Sequence, residues 1–198
     1  MVGPNGSGKT TLFRTLLGVL TPIDGEATVS GADPADYRRR HGTGYLAEDT
    51  VLPPGWTCDG LLALAAAAAG PEADIERACR LAGLDFDTHG LADSLSKGMR
   101  RRLALAMALM RPTGVLFLDE PESGLDPGQR IRLRGRIEEI RGQTTILVAS
   151  HDLGELAMMS DRVLLIDQGR GRVVQQPEGG FTREFLETEF LGLEGAVS

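Results

Sequence analysis

Near its first residue the chain reads Gly3-Pro4-Asn5-Gly6-Ser7-Gly8-Lys9-Thr10, which fits the phosphate-binding pattern G-x-x-x-x-G-K-[ST] at every fixed position. The glycines let the backbone curl so that successive N–H groups point at phosphate oxygens. Lys9 is expected to reach the β and γ phosphates, and the Thr10 hydroxyl to complete the shell of a Mg²⁺ ion. Thr11 belongs to a helix whose positive dipole end faces the phosphates. The stretch therefore predicts a nucleotide-binding P-loop.

The composition suits one globular domain. The 198 residues are 41% hydrophobic, which is ample for a core. A net charge of −7 argues against a nucleic-acid partner, because neutralising phosphates needs a basic footprint. The arginine clusters at 38–40 and 100–102 are accordingly expected to be solvated surfaces or partners of acidic residues.

The longest apolar run, residues 61–69, is about half of the roughly 18 residues needed to cross a bilayer. We therefore expect a cytoplasmic protein.

Two later apolar runs end in polar residues. Residues 115–118 precede Asp119 and Glu120, and residues 145–148 lead to His151. The carboxyl ends of parallel strands form the edge at which α/β folds bind ligands. We therefore expect Asp119 to help hold Mg²⁺, Glu120 to polarise the water that attacks the γ-phosphate, and His151 to sense that phosphate.

A further anion site is predicted between these motifs, in Leu95-Ser96-Lys97-Gly98-Met99. Ser96 has the residue type and position of a helix N-cap. Its hydroxyl, the Gly98 amide and the helix N-terminus together suit a phosphate, yet the chain's own nucleotide already has the P-loop. Two phosphate sites in one domain suggest dimers that associate head to tail.

In their order and over nearly the whole chain, these residues resemble the ATP-binding subunit of ABC transporters. Residues 3–10 resemble the family's Walker A motif, 95–99 its signature, 116–120 its Walker B with the catalytic glutamate, and 123–126 its D-loop. His151 resembles the switch histidine. The resemblance implies an ATPase in which two copies, identical or different, close on two ATP molecules. Each ATP would contact Walker A of one copy and the signature of the other.

The resemblance also implies a transmembrane permease subunit as partner and a peripheral location on the inner face of the cell membrane. The chain departs from the family at Glu48, which stands where the Q-loop has glutamine, and at Lys97 and Met99 of the signature. Glu48 is expected to contact Mg²⁺ through water and to track the transporter. Similar variants occur among exporter-like members, which favours export.

The expected site residues fall into three groups. The nucleotide-binding residues are Gly3, Pro4, Asn5, Gly6, Ser7, Gly8, Lys9, Thr10, Thr11, Ser96 and Gly98; the catalytic residues are Lys9, Glu120 and His151; the Mg²⁺ residues are Thr10, Asp119 and Glu48.

The predicted fold is α/β: a P-loop NTPase core with a mainly parallel sheet flanked by helices, and a small helical lobe. Residues 1–54 and 111–198 form the core lobe, and residues 55–110 form the helical lobe with the signature. Short strands are predicted at 25–29 and 44–46. Only two residues precede the P-loop where the family has two or three strands, so we expect an N-terminally truncated domain with its front strands missing.

Two alternatives to the transporter ATPase stay open. The first is a truncated, catalytically silent fragment of such a subunit. The second is a non-transport ABC-type ATPase acting on ribosomes or DNA, although such proteins usually have two ATPase units, long coiled coils or basic surfaces.

Overall fold

The computed structural model describes residues 1–85 and 87–194. Residue 86 and residues 195–198, which the sequence assigns to the helical and core lobes, lie outside the described residues. Within the described ranges a 3-10 helix at Ala92–Ser94 accompanies the following elements. They are α1 (Lys9–Leu16), α2 (Pro34–His41), β1 (Gly44–Leu46), α3 (Cys58–Ala69), α4 (Ile75–Ala82), α5 (Lys97–Ala108), β2 (Val115–Asp119), α6 (Pro127–Ile140), β3 (Thr145–Ala149), α7 (Leu153–Met159), β4 (Arg162–Asp167), β5 (Arg170–Gln175) and α8 (Arg183–Glu194).

The chain divides into two compact units. The first contains Met1–Asp36 and resumes at Val148, and the second is Tyr37–Leu147. The P-loop and His151 therefore belong to the first unit. Glu48, the signature, Asp119 and Glu120 belong to the second.

In the first unit, Val2 leads into the P-loop from between two paired segments. It forms parallel bridges to Ser150 and Leu165, and its carbonyl accepts a hydrogen bond of 2.8 Å from the Ile166 N–H. β4 and β5 form an antiparallel hairpin, with Asp167 opposite Arg170 at the turn. The core of this unit consists of Val2, Leu156, Val163, Leu165, Val174, Phe181 and Leu186. The P-loop therefore begins directly after Val2, whose backbone is buried and hydrogen-bonded.

In the second unit, β1 and β2 run parallel, with Leu46 opposite Leu118 in the register. The sheet order is β1-β2-β3. Every residue of β2 is buried, because its apolar run packs on both faces as a parallel strand does. The predicted buried strand that delivers Asp119 and Glu120 is confirmed.

Helix starts follow their local sequences. The Ser96 hydroxyl accepts a hydrogen bond of 3.2 Å from the Met99 N–H, so the predicted N-cap of α5 is confirmed. Asp126 caps α6 and forms a reciprocal capping box with Gln129. Caps of this kind depend on residues within one turn of each other, which explains why the sequence indicates them.

The predicted strand at residues 25–29 is wrong. Val29 instead pairs with Ala32, three positions later, through two backbone hydrogen bonds of 2.9 and 3.0 Å. Ser30 and Gly31 between them have φ values of 51° and 77°, so the chain reverses at once rather than extending beside a neighbour.

None of the helices in the described ranges has the length and apolar character that a bilayer span needs.

Candidate nucleotide-binding and catalytic site

The P-loop curls immediately before α1. Gly8, the N-cap of that helix, has φ 109°, and Gly6 has φ 80°. No heavy atom lies within 4 Å of the position that a Cβ would take at either glycine. Glycine is favoured at these two positions by backbone conformation and not by crowding.

At Gly3, steric crowding is the reason that only glycine fits. A Cβ there would lie 2.1 Å from the Ile166 carbonyl oxygen and 2.6 Å from the Ser7 hydroxyl. The Gly169 N–H donates to the Ser7 carbonyl at 3.2 Å. The loop is therefore held against β4 and the turn that follows it.

The Lys9 ammonium lies inside the curve of the loop. It donates hydrogen bonds of 2.7 Å to the Gly3 carbonyl and 3.0 Å to the Pro4 carbonyl. The residue is only 9% exposed. The loop and the cation thus form one preorganised unit.

The residues of the loop fit an anion. The Ser7 hydroxyl is buried and, among the described atoms, has no hydrogen-bond partner. Asn5, Gly6 and Thr11 are exposed, and the N–H groups in the first turn of a helix have no partner within that helix. A phosphate oxygen would accept from these donors and would face the positive end of α1.

His151 lies in the turn between β3 and α7, as the sequence predicts. The Ser150 hydroxyl donates to the Glu155 carboxylate at 2.7 Å and accepts from the Asp152 N–H at 3.0 Å. The Asp152 carboxylate caps α7. The Ser150 N–H also donates to the Met1 carbonyl at 3.0 Å. Within the first unit, the histidine turn and the entry to the P-loop are therefore joined through neighbouring backbone groups.

In the second unit, the predicted carboxylates of Asp119 and Glu120 lie at the end of β2, where the backbone is constrained. Asp119 is 2% exposed and Glu120 is 5% exposed. Glu120 has φ 48°, a left-handed conformation that costs a non-glycine residue about 1–2 kcal/mol. Such strain persists only where surrounding contacts hold the backbone in place.

Two contacts that the sequence did not predict hold this segment. The Glu122 carboxylate is fully buried and accepts from Arg134 of α6 with both oxygens, at 2.5 and 2.7 Å. Arg101 of α5 donates to the carbonyls of Asp119 and Glu120. Arg101 shares the inner face of α5 with Gly98 and Leu105, which are also buried. No sequence signal marks a charged residue at this position as buried.

Residues 100–102 were expected to form a solvated surface or to be partners of acidic residues, and the solvated surface is wrong for Arg101. It is 7% exposed and donates to four backbone carbonyls, those of Ala47 and Glu48 being the other two. Burial lowers the pKa of the Arg101 guanidinium, and the charges of Asp119 and Glu48 act in the opposite direction. Arg102 does pair with an acidic residue, Asp85.

The signature lies beside the D-loop of its own unit. A Cβ on Gly98 would come 3.1 Å from the Gln129 side chain, and one on Gly124 would come 2.6 Å from Cε of Lys97. Ser96 and Glu48 are both exposed. The Ser96 hydroxyl thus stands at the surface, at the N-terminus of α5, where an external anion can approach.

No group of three or more histidine, cysteine, aspartate or glutamate side chains is arranged to hold a metal ion within residues 1–85 and 87–194. Mg²⁺ in nucleotide sites is usually bound by one or two carboxylates together with water and substrate phosphates. The paired carboxylates at the end of β2 suit that kind of site.

A groove of about 670 Å³ lies in the second unit, beside the loop after β1 that carries Glu48. Its lining includes the apolar residues Ala65 and Met107 and the charged residues Arg38, Asp49 and Arg111. Arg111 also pairs with the Glu72 carboxylate at 2.6 Å. The groove is thus lined by apolar residues together with charges of both signs.

The fold and the loop define the class as an α/β protein with the P-loop NTPase fold. A sequence profile described as ABC transporter matches residues 1–123. The chain belongs to the family of ABC transporter ATP-binding proteins, which are ATPases. The predicted family and fold class are confirmed.

Two bacterial relatives illustrate the similarity. The fluoroquinolones export ATP-binding protein of Mycobacterium tuberculosis is 34% identical over 183 residues, 89% of this chain and 60% of the relative. The Nod factor export ATP-binding protein I of Burkholderia orbicola is 36% identical over 180 residues, 86% of this chain and 59% of the relative. The chain thus spans about three fifths of these relatives.

The solved structure of an ATP-binding subunit of an ABC transporter superposes with a TM-score of 0.78 at 28% identity, covering 88% of this chain and 76% of that one. The α/β architecture of the chain is therefore that of an ABC ATPase.

Proposed function

We propose that this chain binds Mg²⁺-ATP and hydrolyses it to power an ABC exporter. The observation that carries the proposal is the curled P-loop, in which the Lys9 ammonium is held by two carbonyls and the Ser7 hydroxyl is buried without a partner among the described atoms. Together with the start of α1, these groups favour a polyphosphate ligand.

The roles follow from the residue types. Gly3 to Thr11 bind the phosphates through backbone N–H groups, the Ser7 hydroxyl and the Lys9 ammonium. Thr10, Asp119 and, through water, Glu48 hold Mg²⁺, which neutralises charge on the phosphates when bound. Glu120 accepts a proton from the attacking water, and His151 senses the γ-phosphate.

A second ATP-binding subunit, identical or different, completes each site in this proposal. The exposed Ser96 hydroxyl and the N–H of Gly98, at the start of α5, contact the γ-phosphate of ATP bound by the other copy. The support is that Ser96 is surface-exposed and preorganised by its own cap, with its hydroxyl 3.2 Å from the Met99 N–H.

The transporter partner is a transmembrane permease subunit at the inner face of the cell membrane. Its support in this chain is the groove beside the Glu48 loop, whose lining of apolar and charged residues suits an amphipathic helix. Export is supported by the two relatives described above, which are named for the export of fluoroquinolones and of Nod factor.

ATP binding tests the proposal most directly. We expect Lys9→Met to weaken ATP binding about tenfold or more, because a hydrogen bond to a charged group contributes about 1.5–3 kcal/mol. Arg14→Met, on the exposed side of the same helix, is the matched control and should bind ATP normally. Equal affinity in both variants and the wild type would refute the P-loop assignment.

Turnover and transport test the remaining steps. The wild-type protein, reconstituted with its permease in vesicles, is expected to move substrate away from the ATP-binding side. ATP binding without any turnover would instead identify a silent subunit. Turnover without a permease partner would favour a non-transport ATPase.

A further inference from the structure

Arg101 joins three segments that carry predicted functional residues. It lies on α5, one turn after Gly98 of the signature, and its guanidinium is nearly enclosed. One terminal nitrogen donates to the carbonyls of Ala47 and Glu48, the latter at 2.9 Å. The other donates to the carbonyls of Asp119 and Glu120, the latter at 2.7 Å. A single side chain therefore bridges two loops.

These two loops leave neighbouring strands. Leu46, the last residue of β1, lies opposite Leu118 of β2 in parallel register. The Glu120 carbonyl also accepts from the Ser123 N–H at 3.0 Å, and the Ala47 carbonyl from the Thr50 hydroxyl at 3.4 Å. The guanidinium therefore gives these two carbonyls a second donor, and it donates to both loops. Arg101 supplies the hydrogen bonds at the point where the sheet register ends.

The bridge also bears on the backbone of Glu120. That residue has φ 48° and is followed by Pro121, so its conformation is unfavourable by itself. The hydrogen bond from Arg101 to the Glu120 carbonyl, together with the bond of 3.0 Å from the Ser123 N–H, holds the peptide group that follows this residue. The opposite end of the bridge reaches the loop that lines the groove, at Ala47.

We propose that Arg101 is a positioning residue that orients Glu120 and links its backbone to the loop lining the groove. The inference rests on the proposed ATPase function. Arginine suits this task because its planar fork presents donors in two fixed directions. A lysine ammonium is a compact point charge and cannot serve both pairs of carbonyls with the same geometry.

The first experiment measures the two loops without nucleotide. Amide hydrogen exchange is compared among wild type, Arg101→Lys, Arg101→Gln and the control Arg100→Lys, since Arg100 is exposed on the same helix. We expect peptides over residues 46–50 and 118–122 to lose protection together in both Arg101 variants and to remain unchanged in the control. A change in one loop alone, or in neither, would overturn the inference even if the chain were not an ATPase.

The second experiment separates positioning from general structure. In the full protein, Arg101→Lys should lower kcat about tenfold while the dissociation constant for ATP stays within about twofold, because the phosphates are bound by the P-loop. In a Glu120→Gln background the same change should lower kcat little further, since it acts through Glu120. A parallel loss of ATP affinity, or an additive loss of kcat, would show that Arg101 is not a positioning residue for Glu120.

These results distinguish the two proposals. A wild-type protein that neither binds nor hydrolyses ATP would refute the proposed function. A wild-type protein that turns over ATP, with an Arg101→Lys variant equal to it in kcat, would refute only the role of Arg101.

Discussion

The buried pair of Glu122 and Arg134 offers the sharpest test of how the segment after β2 is held. Glu122 is fully buried, and both of its carboxylate oxygens accept from Arg134. Removing the arginine leaves a buried carboxylate without its cation, which costs about 3–5 kcal/mol. Because a domain has only about 5–15 kcal/mol of net stability, we expect Arg134→Met to lose a large share of it.

The assay is urea unfolding followed by the fluorescence of Trp56, the single tryptophan, which belongs to the same unit as the pair. In thermal unfolding of a protein of this length, the same loss of stability corresponds to a fall in Tm of about 6–20 °C. Arg132→Met is the control, because Arg132 is exposed on the same helix; it should change stability by less than about 0.5 kcal/mol.

A double variant separates the charge from the packing. Replacing both partners with apolar residues, in Glu122→Leu with Arg134→Leu, should recover most of the lost stability, since buried ion pairs often exchange for apolar groups at little net cost. If Arg134→Met is as stable as Arg132→Met, the buried pair does not hold this segment and the reasoning is wrong.

Three further predictions concern the site and the loop. Glu120→Gln should retain ATP binding and slow hydrolysis by a factor on the order of a hundred or more, measured by phosphate release, because it removes the general base; unchanged turnover would contradict that role. A mixture of Ser96→Arg and Lys9→Ala copies should bind ATP at one composite site, whereas neither pure variant should dimerise with ATP; equal ATP-driven dimerisation by pure Ser96→Arg would count against action in trans. Gly3→Ala should destabilise the protein by about 1–3 kcal/mol in thermal unfolding, since its Cβ would lie 2.1 Å from a backbone carbonyl. The control Gly135→Ala, inside α6 with no neighbour within 4 Å of the added Cβ, should stabilise the protein by about 0.5–1 kcal/mol. If Gly3→Ala leaves the stability unchanged, the loop does not approach β4 so closely.

Local features of the fold were predictable from the sequence. The P-loop, the caps at Ser96, Asp126 and Asp152, and the buried strand before Asp119 each depend on residues within a few positions of one another. Glycine conformation, cap hydrogen bonds and the continuous apolar run of a parallel strand are short-range properties. The predicted strand at 25–29 failed because extended pairing needs a partner that the local sequence does not specify.

The sequence by itself determined which chemical groups are present and in what order, and hence the family and the residues proposed to act on ATP. Only the tertiary structure decided that Arg101 is buried while Arg100 is exposed, and that Glu122 is paired. The acceptors of Arg101 lie 53 and 54 positions away in one loop and 18 and 19 in the other. A charged side chain is ordinarily placed at the surface by its hydration, and it is buried only where distant backbone groups converge to satisfy its donors. Convergence of that kind depends on chain packing, which no local pattern of residues encodes.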